Sequence, residues 1–280
     1  MKSAATAFGH FIAETNLYIA AGAALFTGSA YFFFGTAPNV DVLGTVFFGT
    51  LFMYTFQRRV GDLDASGAYR GVKTLLMAAG ALGTAFFAVG LSVSVFGLFA
   101  GAALLSAAYA LPVFPVKGRK EPASLRKLPY LKIWTVTAAW TAVGVAVPLA
   151  DGAGGDLPGT DAAFFALQQG ALIFALAAAF DIRDLPFDAP EHRTVPQILG
   201  IRGAVKAGVT AVRISVLSCA LLYLFGRIDL AGLGVHAAVC TGAGILLKRT
   251  TPYRRQLFFN LGIDGILAAQ GLGLMLTRWL

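Results

Sequence analysis

Residues 162–200 read AAFFALQQGALIFALAAAFDIRDLPFDAPEHRTVPQILG. From Ala162 to Phe180 no side chain is charged. A helix rising about 1.5 Å per residue needs roughly 20 such residues to cross the hydrocarbon core of a bilayer. The run stops abruptly at Asp181, and Arg183, Asp184, Asp188 and Arg193 crowd into the next stretch. The segment reads as a membrane-spanning helix that delivers a cluster of charged side chains to one membrane face.

Runs of the same kind recur on both sides of it. The expected spans cover Leu17 to Phe34, Val40 to Phe56, Val72 to Leu91, Val95 to Val113, Ile133 to Ala150, Ala162 to Phe180, Ala207 to Phe225, Leu230 to Leu247 and Leu257 to Leu276. Of the 280 residues, 57% are hydrophobic and 13% charged, with a mean hydropathy of +0.73. A soluble domain carries about 25% charged residues, so this surface must mostly face lipid. The expected fold class is all-α, a polytopic membrane bundle of about nine transmembrane helices, forming one domain over residues 1–280 with no soluble appendage. Many spans are rich in Gly and Ala, which lets helices approach closely in lipid.

The loops test the span count independently. Alternate loops hold Arg58, Arg59, Arg70 and Lys73; then Lys117, Arg119, Lys120, Arg126, Lys127 and Lys132; then Arg183, Arg193, Arg202 and Lys206; then Lys248, Arg249, Arg254 and Arg255. The opposite loops hold Asp41, Asp151, Asp156, Asp161 and Asp229, with Arg227 as their positive charge. Positive charge collects on cytoplasmic loops, so this alternation predicts a cytoplasmic N-terminus, an outer C-terminus and an odd number of spans. The net charge of +8 is a topology signal on this reading. With no RNA-binding motif and no basic stripe interleaved with aromatics, nucleic acid is not an expected partner; the lipid bilayer is. The opening stretch MKSAATAFGHFIAETNLYIAAG has one Lys, and Glu14 interrupts its apolar part, so uncleaved insertion of the first span is expected. Cys219 and Cys240 lie inside apolar runs without a CxxC or metal-ligand partner and read as small core hydrophobes.

Asp181, Asp184 and Asp188 are spaced i, i+3, i+7 and share one face of a helix. Three carboxylates so placed repel one another and call for a cation; oxygen ligands suit Mg2+, which often bridges to phosphate. The alternative is a set of solvated charges at a helix end. Pro186 removes a backbone donor and disfavours helical geometry at Leu185. A helix ending after Asp184 would keep Asp181 and Asp184 on one face and leave Asp188 elsewhere.

The pattern Asp181, Asp184, Asp188, then Thr194, Pro196, Leu199 and Gly200, at the end of the sixth of nine expected helices, resembles the UbiA-type intramembrane prenyltransferase superfamily. Tyr109-Ala-Leu-Pro112, leading into a basic loop, is similar to the family as well. The resemblance implies a helical bundle with a cytoplasm-facing polar cavity. In it, a prenyl diphosphate held through Mg2+ loses its diphosphate, and a lipophilic acceptor, often an aromatic ring, captures the allylic cation. It implies catalytic roles for Asp181 and Asp184 and a Mg2+ site on Asp181, Asp184 and Asp188. Diphosphate contacts would fall to Arg58, Arg59, Tyr109, Lys117, Lys120, Lys132 and Arg183.

One departure stands out. The family's first acidic motif belongs at the end of the second helix, where this chain reads MYTFQRRVGDLDASG; with Thr55 in the place of the motif's Asn, Arg59 falls near an acidic position, and Asp62 and Asp64 are out of register. Arg58 and Arg59 then either bind diphosphate directly, replacing one metal by fixed charge, or anchor the helix at the interface. The function is correspondingly either prenyl transfer or isoprenoid binding or transport on the same scaffold. A terpene-cyclase-like activity would use the same motif. An unrelated secondary transporter fits least, since no internal repeat is visible. Arg213 and Asp264 lie inside spans, where charges mark pairs or cavities, and a mutual salt bridge is the expectation. Asn16, Gln57, Gln168, Gln169 and Gln270 are candidates for polar lining, and Trp134 and Trp140 for packing rather than substrate platforms.

Overall fold

The computed structural model describes residues 11–12, 14–60, 69–115 and 121–279. Among the described residues are nine long helices: α1 (Leu17–Phe33), α2 (Val40–Val60), α3 (Arg70–Ala88), α4 (Val93–Ala110), α5 (Leu131–Ala150), α6 (Gly159–Asp184), α7 (Val195–Leu224), α8 (Leu230–Lys248) and α9 (Phe258–Arg278). The last eight are each long and apolar enough to cross a membrane, and α1, at 17 residues, falls just short. This is the architecture of an integral, multi-pass membrane protein, and every helix overlaps the apolar run that predicted it.

The helix ends follow from local chemistry. Asp229 caps α8 by accepting the Gly232 amide at 2.7 Å, and Ser92 accepts the Val95 amide at the start of α4. At the start of α7 the Thr194 amide donates to the Gln197 side chain, and Pro196 sits in the first turn, where its missing N–H costs nothing. That turn breaks at Gly200, whose φ of 68° and ψ of 168° lie outside the helical region and favour glycine. Two helices contain wide π turns, which periodicity did not foretell. In α5 the turn spans Ala142–Ala146; Pro148 has no N–H to return to the carbonyl four residues back, so the hydrogen-bond ladder slips. In α9 it spans Phe258–Ile263, and the Tyr18 hydroxyl donates to the Leu261 carbonyl at 3.2 Å.

The helices close into a ring. α1 packs on α2 and α9; α5 on α6; α6 on α7; α7 on α8; α8 on α9; α4 bridges α2 and α5, and α3 lies outside against α2. Close approach rests on glycine. A Cβ on Gly80 would come within 3.0 Å of the α2 backbone at Phe48 and Phe52, and one on Gly271 would collide with the Leu25 carbonyl of α1.

Half of the ring is sealed. Phe26 of α1, Leu172 of α6, Val212 of α7, Cys240 of α8 and Phe259 and Ile263 of α9 form its apolar core. Inside it runs a buried polar network. His236 contacts Ser215 at 2.9 Å and Gln270 at 3.1 Å; Gln270 donates to Ser29 and Gln169; Ser215 donates to the Gln168 carbonyl. Gln168, Gln169 and Gln270, expected as cavity lining, are all fully buried in this core; Gln270 and the Gln169 oxygen join the network, whereas the Gln168 side chain has no hydrogen-bond partner among the described residues. The two cysteines are buried and free, Cys240 lying 3.4 Å from His236.

A second expectation is overturned. Arg213 and Asp264 form no ion pair: Arg213 is exposed on the outer face of α7, and the cations acting on Asp264 are Arg183 and Arg58. Helix rotation decides this, since the face of α7 that meets its neighbours carries Ser215, Ser218 and Cys219 instead. At the end of the bundle opposite Asp181, the acidic loop residues are partnered. Asp151 accepts from Tyr31 at 2.7 Å and Asn39 at 2.9 Å, Asp161 pairs with Arg227, and Asp229 with Arg278 at 3.2 Å.

Candidate active site

α6 ends at Asp184, as Pro186 predicts, yet the chain continues in a tight turn. The amides of Phe187 and Asp188 both donate to the Asp184 carbonyl, at 2.8 and 2.9 Å. This turn swings Asp188 back toward Asp181 and Asp184. The Gln197 side chain holds it there by donating to the carbonyls of Asp188 and Ala189 at 3.1 and 3.0 Å. The three carboxylates thus converge although the helix that would have aligned them stops.

They converge on a lysine. Lys132, in the first turn of α5, places its ammonium 2.6 Å from Asp188 Oδ2, 3.0 Å from Asp184 Oδ2 and 3.3 Å from Asp181 Oδ1, and is only 4% exposed. A clasp between loops fixes its position: the Tyr130 amide donates to the His192 carbonyl at 3.0 Å, and Arg193 donates to the Tyr130 hydroxyl at 2.8 Å. Arg183 Nε reaches Asp184 Oδ1 at 2.8 Å, Arg126 lies 3.7 Å from Asp184, and His192 Nδ1 lies 3.5 Å from Asp188 Oδ1. Asp181 Oδ2 is buried without a hydrogen-bond partner.

The field of the cluster extends across the bundle. The Tyr109 phenol feels Lys132, Arg126, Asp184 and Asp181. Arg183 and Arg58 both act on Asp264, and Arg58 also acts on the Tyr54 phenol. Arg58 in the last turn of α2 and Arg183 in the last turn of α6 thus lie within electrostatic reach of the same carboxyl, that of Asp264. Arg59 is instead exposed and bonds Thr74 and the Arg70 carbonyl on α3. Lys117, Arg119 and Lys120 of the basic loop, and Asp62 and Asp64 after α2, lie outside the described residues.

An apolar chamber of about 630 Å3, open space at its entrance included, lies between α1, α2, α4 and α5. Its walls include Ala23, Val46, Met53, Tyr54, Phe99 and Trp140. Trp140 thus faces a cavity as well as packing on Phe26 and Tyr54, whereas Trp134 stacks obliquely on Phe174 at the periphery. Gln57 also lines the chamber and donates to the Ser106 carbonyl at 2.8 Å. Tyr54 lines the chamber beside Trp140, one helical turn before Arg58. The signal for this wall was in the sequence: residues 46, 50, 53, 54 and 57 of α2, and 99, 102, 103 and 106 of α4, follow helical spacing on one face.

The aspartates as arranged do not fit a Mg2+ site. Of their six oxygens, five face a nitrogen of Lys132, Arg183, Arg126 or His192, leaving Asp181 Oδ2 alone. Mg2+ asks for near-octahedral oxygens at about 2.1 Å. Among the described residues no group of three His, Cys, Asp or Glu side chains is arranged to hold a metal.

No family model matches the chain, and no curated protein matches it. Solved structures do. A UbiA homolog from Archaeoglobus fulgidus superposes with a TM-score of 0.67 at 15% identity, over 96% of this chain and 100% of that one. A UbiA homolog from Aeropyrum pernix K1 without ligand gives 0.66 at 13% identity, over 94% and 98%. The Archaeoglobus fulgidus homolog bound to GPP and Mg2+ gives 0.65 at 15% identity, over 94% and 98%. The chain has the fold of the UbiA homologs, as the pattern from Asp181 to Gly200 suggested.

Proposed function

We propose that this chain is an intramembrane prenyltransferase of the UbiA type, moving a prenyl group from a prenyl diphosphate to a lipophilic acceptor, with an aromatic ring as the favoured kind. The observation that carries the proposal is the pairing of two features in one ring of helices: an apolar chamber whose α2 wall runs through Tyr54 and Gln57 to Arg58, and the aspartate cluster with Lys132, Arg126 and Arg183 at the end of α6. A prenyl diphosphate has that same division, an apolar tail joined to a polyanionic head. The fold-mate bound to GPP supports the reading.

In this proposal Arg58, Arg126 and Arg183 face the diphosphate, with Tyr109 and Tyr54 as hydroxyl donors. The bond between the prenyl C1 and the bridging oxygen breaks, and its electron pair leaves with the diphosphate. Arginines stabilise that developing charge because they are fixed before the reaction starts. The acceptor's electron pair forms the new bond to C1, and the proton it loses goes to the released diphosphate. Aromatic and apolar walls, Phe99 and Trp140 among them, exclude the water that would otherwise quench the cation. The aspartate cluster faces the cytoplasm in this reading, because the Lys- and Arg-rich loops lie at its end of the bundle and the acidic loops at the other.

A pyrophosphate-release assay with prenyl diphosphates of several lengths and a lipid extract as acceptor source tests the proposal. Release that depends on Asp184 and Arg183 is the expected result. The second reading, a non-catalytic isoprenoid-binding or transport protein, is favoured by the arginines that stand where the family's first acidic motif belongs. Tight binding of a prenyl diphosphate with no pyrophosphate released from any donor would select it.

A further inference from the structure

We infer that Lys132 is the resident cation of the aspartate cluster and holds the place that a divalent ion would otherwise take, so that the assembled cluster is metal-free by construction. The inference goes beyond the proposed function and stands on side-chain geometry that needs no substrate.

Three carboxylates within reach of one point cannot stay ionised in a buried setting without positive charge beside them. An ammonium has three protons to donate and no acceptor. Around Lys132 Nζ stand all three carboxylates: Asp188 and Asp184 accept its hydrogen bonds at 2.6 and 3.0 Å, and Asp181 Oδ1 lies in ion-pair contact at 3.3 Å. The ammonium is therefore neutralised by the carboxylates on every side they offer. Arg183 and Arg126 on Asp184 bring the fixed positive charges at the cluster to three, against three carboxylates. A divalent ion entering this balanced set would have to displace Lys132 or sit among cations with one unengaged carboxylate oxygen, that of Asp181, to hold it.

The lysine is not there by the reach of a flexible chain alone. It is almost wholly buried, and the main-chain bond from Tyr130 to His192 ties its helix start to the loop that follows Asp188. The cation and its three partners thus belong to two segments fastened to each other. In the last turn of α2 stands Arg58, within electrostatic reach of Asp264.

Titrating Mn2+ onto the purified full chain in detergent, with no prenyl compound present and the bound ion followed by electron paramagnetic resonance and calorimetry, tests the inference. The wild type is expected to show no saturable site that Asp181→Asn removes. Lys132→Met, which keeps most of the apolar stem and deletes the charge, is expected to create one such site, raising Mn2+ affinity at least about tenfold over any residual binding to wild type, and Lys132→Met with Asp181→Asn to lose it again. A wild-type site at one ion per chain that Asp181→Asn abolishes would overturn the inference, as would a folded Lys132→Met protein that gains no site. If Lys132→Met does not fold, the wild-type and Asp181→Asn titrations decide alone. Because no prenyl diphosphate enters the experiment, a failure of prenyl transfer leaves the Mn2+ result unchanged.

Discussion

The Gln197 side chain, one turn into α7, donates its amide to the main-chain carbonyl of Asp188 at 3.1 Å. The same amide reaches the Ala189 carbonyl, and its oxygen accepts from the Thr194 amide. One side chain thus holds the turn that returns Asp188 to its two sister aspartates. Net hydrogen bonds of this kind contribute about 0.5–1.5 kcal/mol each. Gln197→Ala is expected to raise amide hydrogen exchange over residues 186–194 and to cut pyrophosphate release by roughly tenfold, at unchanged helix content. Unaltered exchange in that loop would show that the turn is held some other way.

The two arginines that end α2 should separate cleanly. Arg58 acts on Asp264 and Tyr54, whereas Arg59 is turned onto α3. Removing one preorganised donor to a developing anion typically costs about 10²–10³ in rate. Arg58→Ala is therefore expected to lose roughly 100-fold in kcat/KM for a prenyl diphosphate, and Arg59→Ala to stay within about twofold. Steady-state pyrophosphate release measures both, and equal losses would place Arg59 at the diphosphate as well.

Ala139 lines the apolar chamber beside Trp140. Ala139→Leu fills space there without adding a polar atom. Long prenyl donors should suffer more than short ones, with their ratio of kcat/KM shifting by about tenfold, the scale of one or two methylenes in an apolar pocket. A uniform loss across donor lengths would indicate that the tail lies elsewhere.

His236 connects α7, α8 and α9 through Ser215 and Gln270. His236→Leu leaves both partners with unsatisfied groups in a sealed core, costing about 1–3 kcal/mol by analogy with soluble proteins and less where membrane partners rearrange. A lower melting temperature in detergent, with pyrophosphate release retained below it, is the expected outcome. The chamber lies in the other half of the ring, so a selective loss of activity in a stable protein would contradict this division.

Arg213 faces outward from the middle of α7 and has no ion-pair partner among the described residues. A charge at that depth is costly in lipid. Arg213→Leu should leave pyrophosphate release unchanged and hold or raise the melting temperature; a marked fall would reveal a partner for the guanidinium in the assembled membrane.

The apolar run from Ala162 to Phe180 and the aspartates that close it were legible as a span with a charged end, and α6 runs from Gly159 to Asp184. Asp184 was also legible as the helix end, since Pro186 acts locally. The fate of Asp188 was not, because its return depends on Gln197, whose own position is set by the first turn of α7. The chamber was half-written in the helical spacing of α2 and α4, but spacing alone does not tell which face meets lipid and which meets a cavity. The expected pairing of Arg213 with Asp264 failed for the same reason: depth in the membrane can be read along one helix, whereas rotation about its axis is set by neighbours.

By itself the sequence determined where the long apolar helices run and where the charged loops between them fall, because these depend on the local cost of placing polar groups in hydrocarbon. Only the tertiary structure decided which cation answers the three aspartates. Lys132 comes from another helix, and the three carboxylates around its ammonium meet only once α5 and α6 have packed and the Tyr130–His192 clasp has joined their ends. Coulomb attraction at contact distance is a property of that packing, which residue order along either helix does not contain.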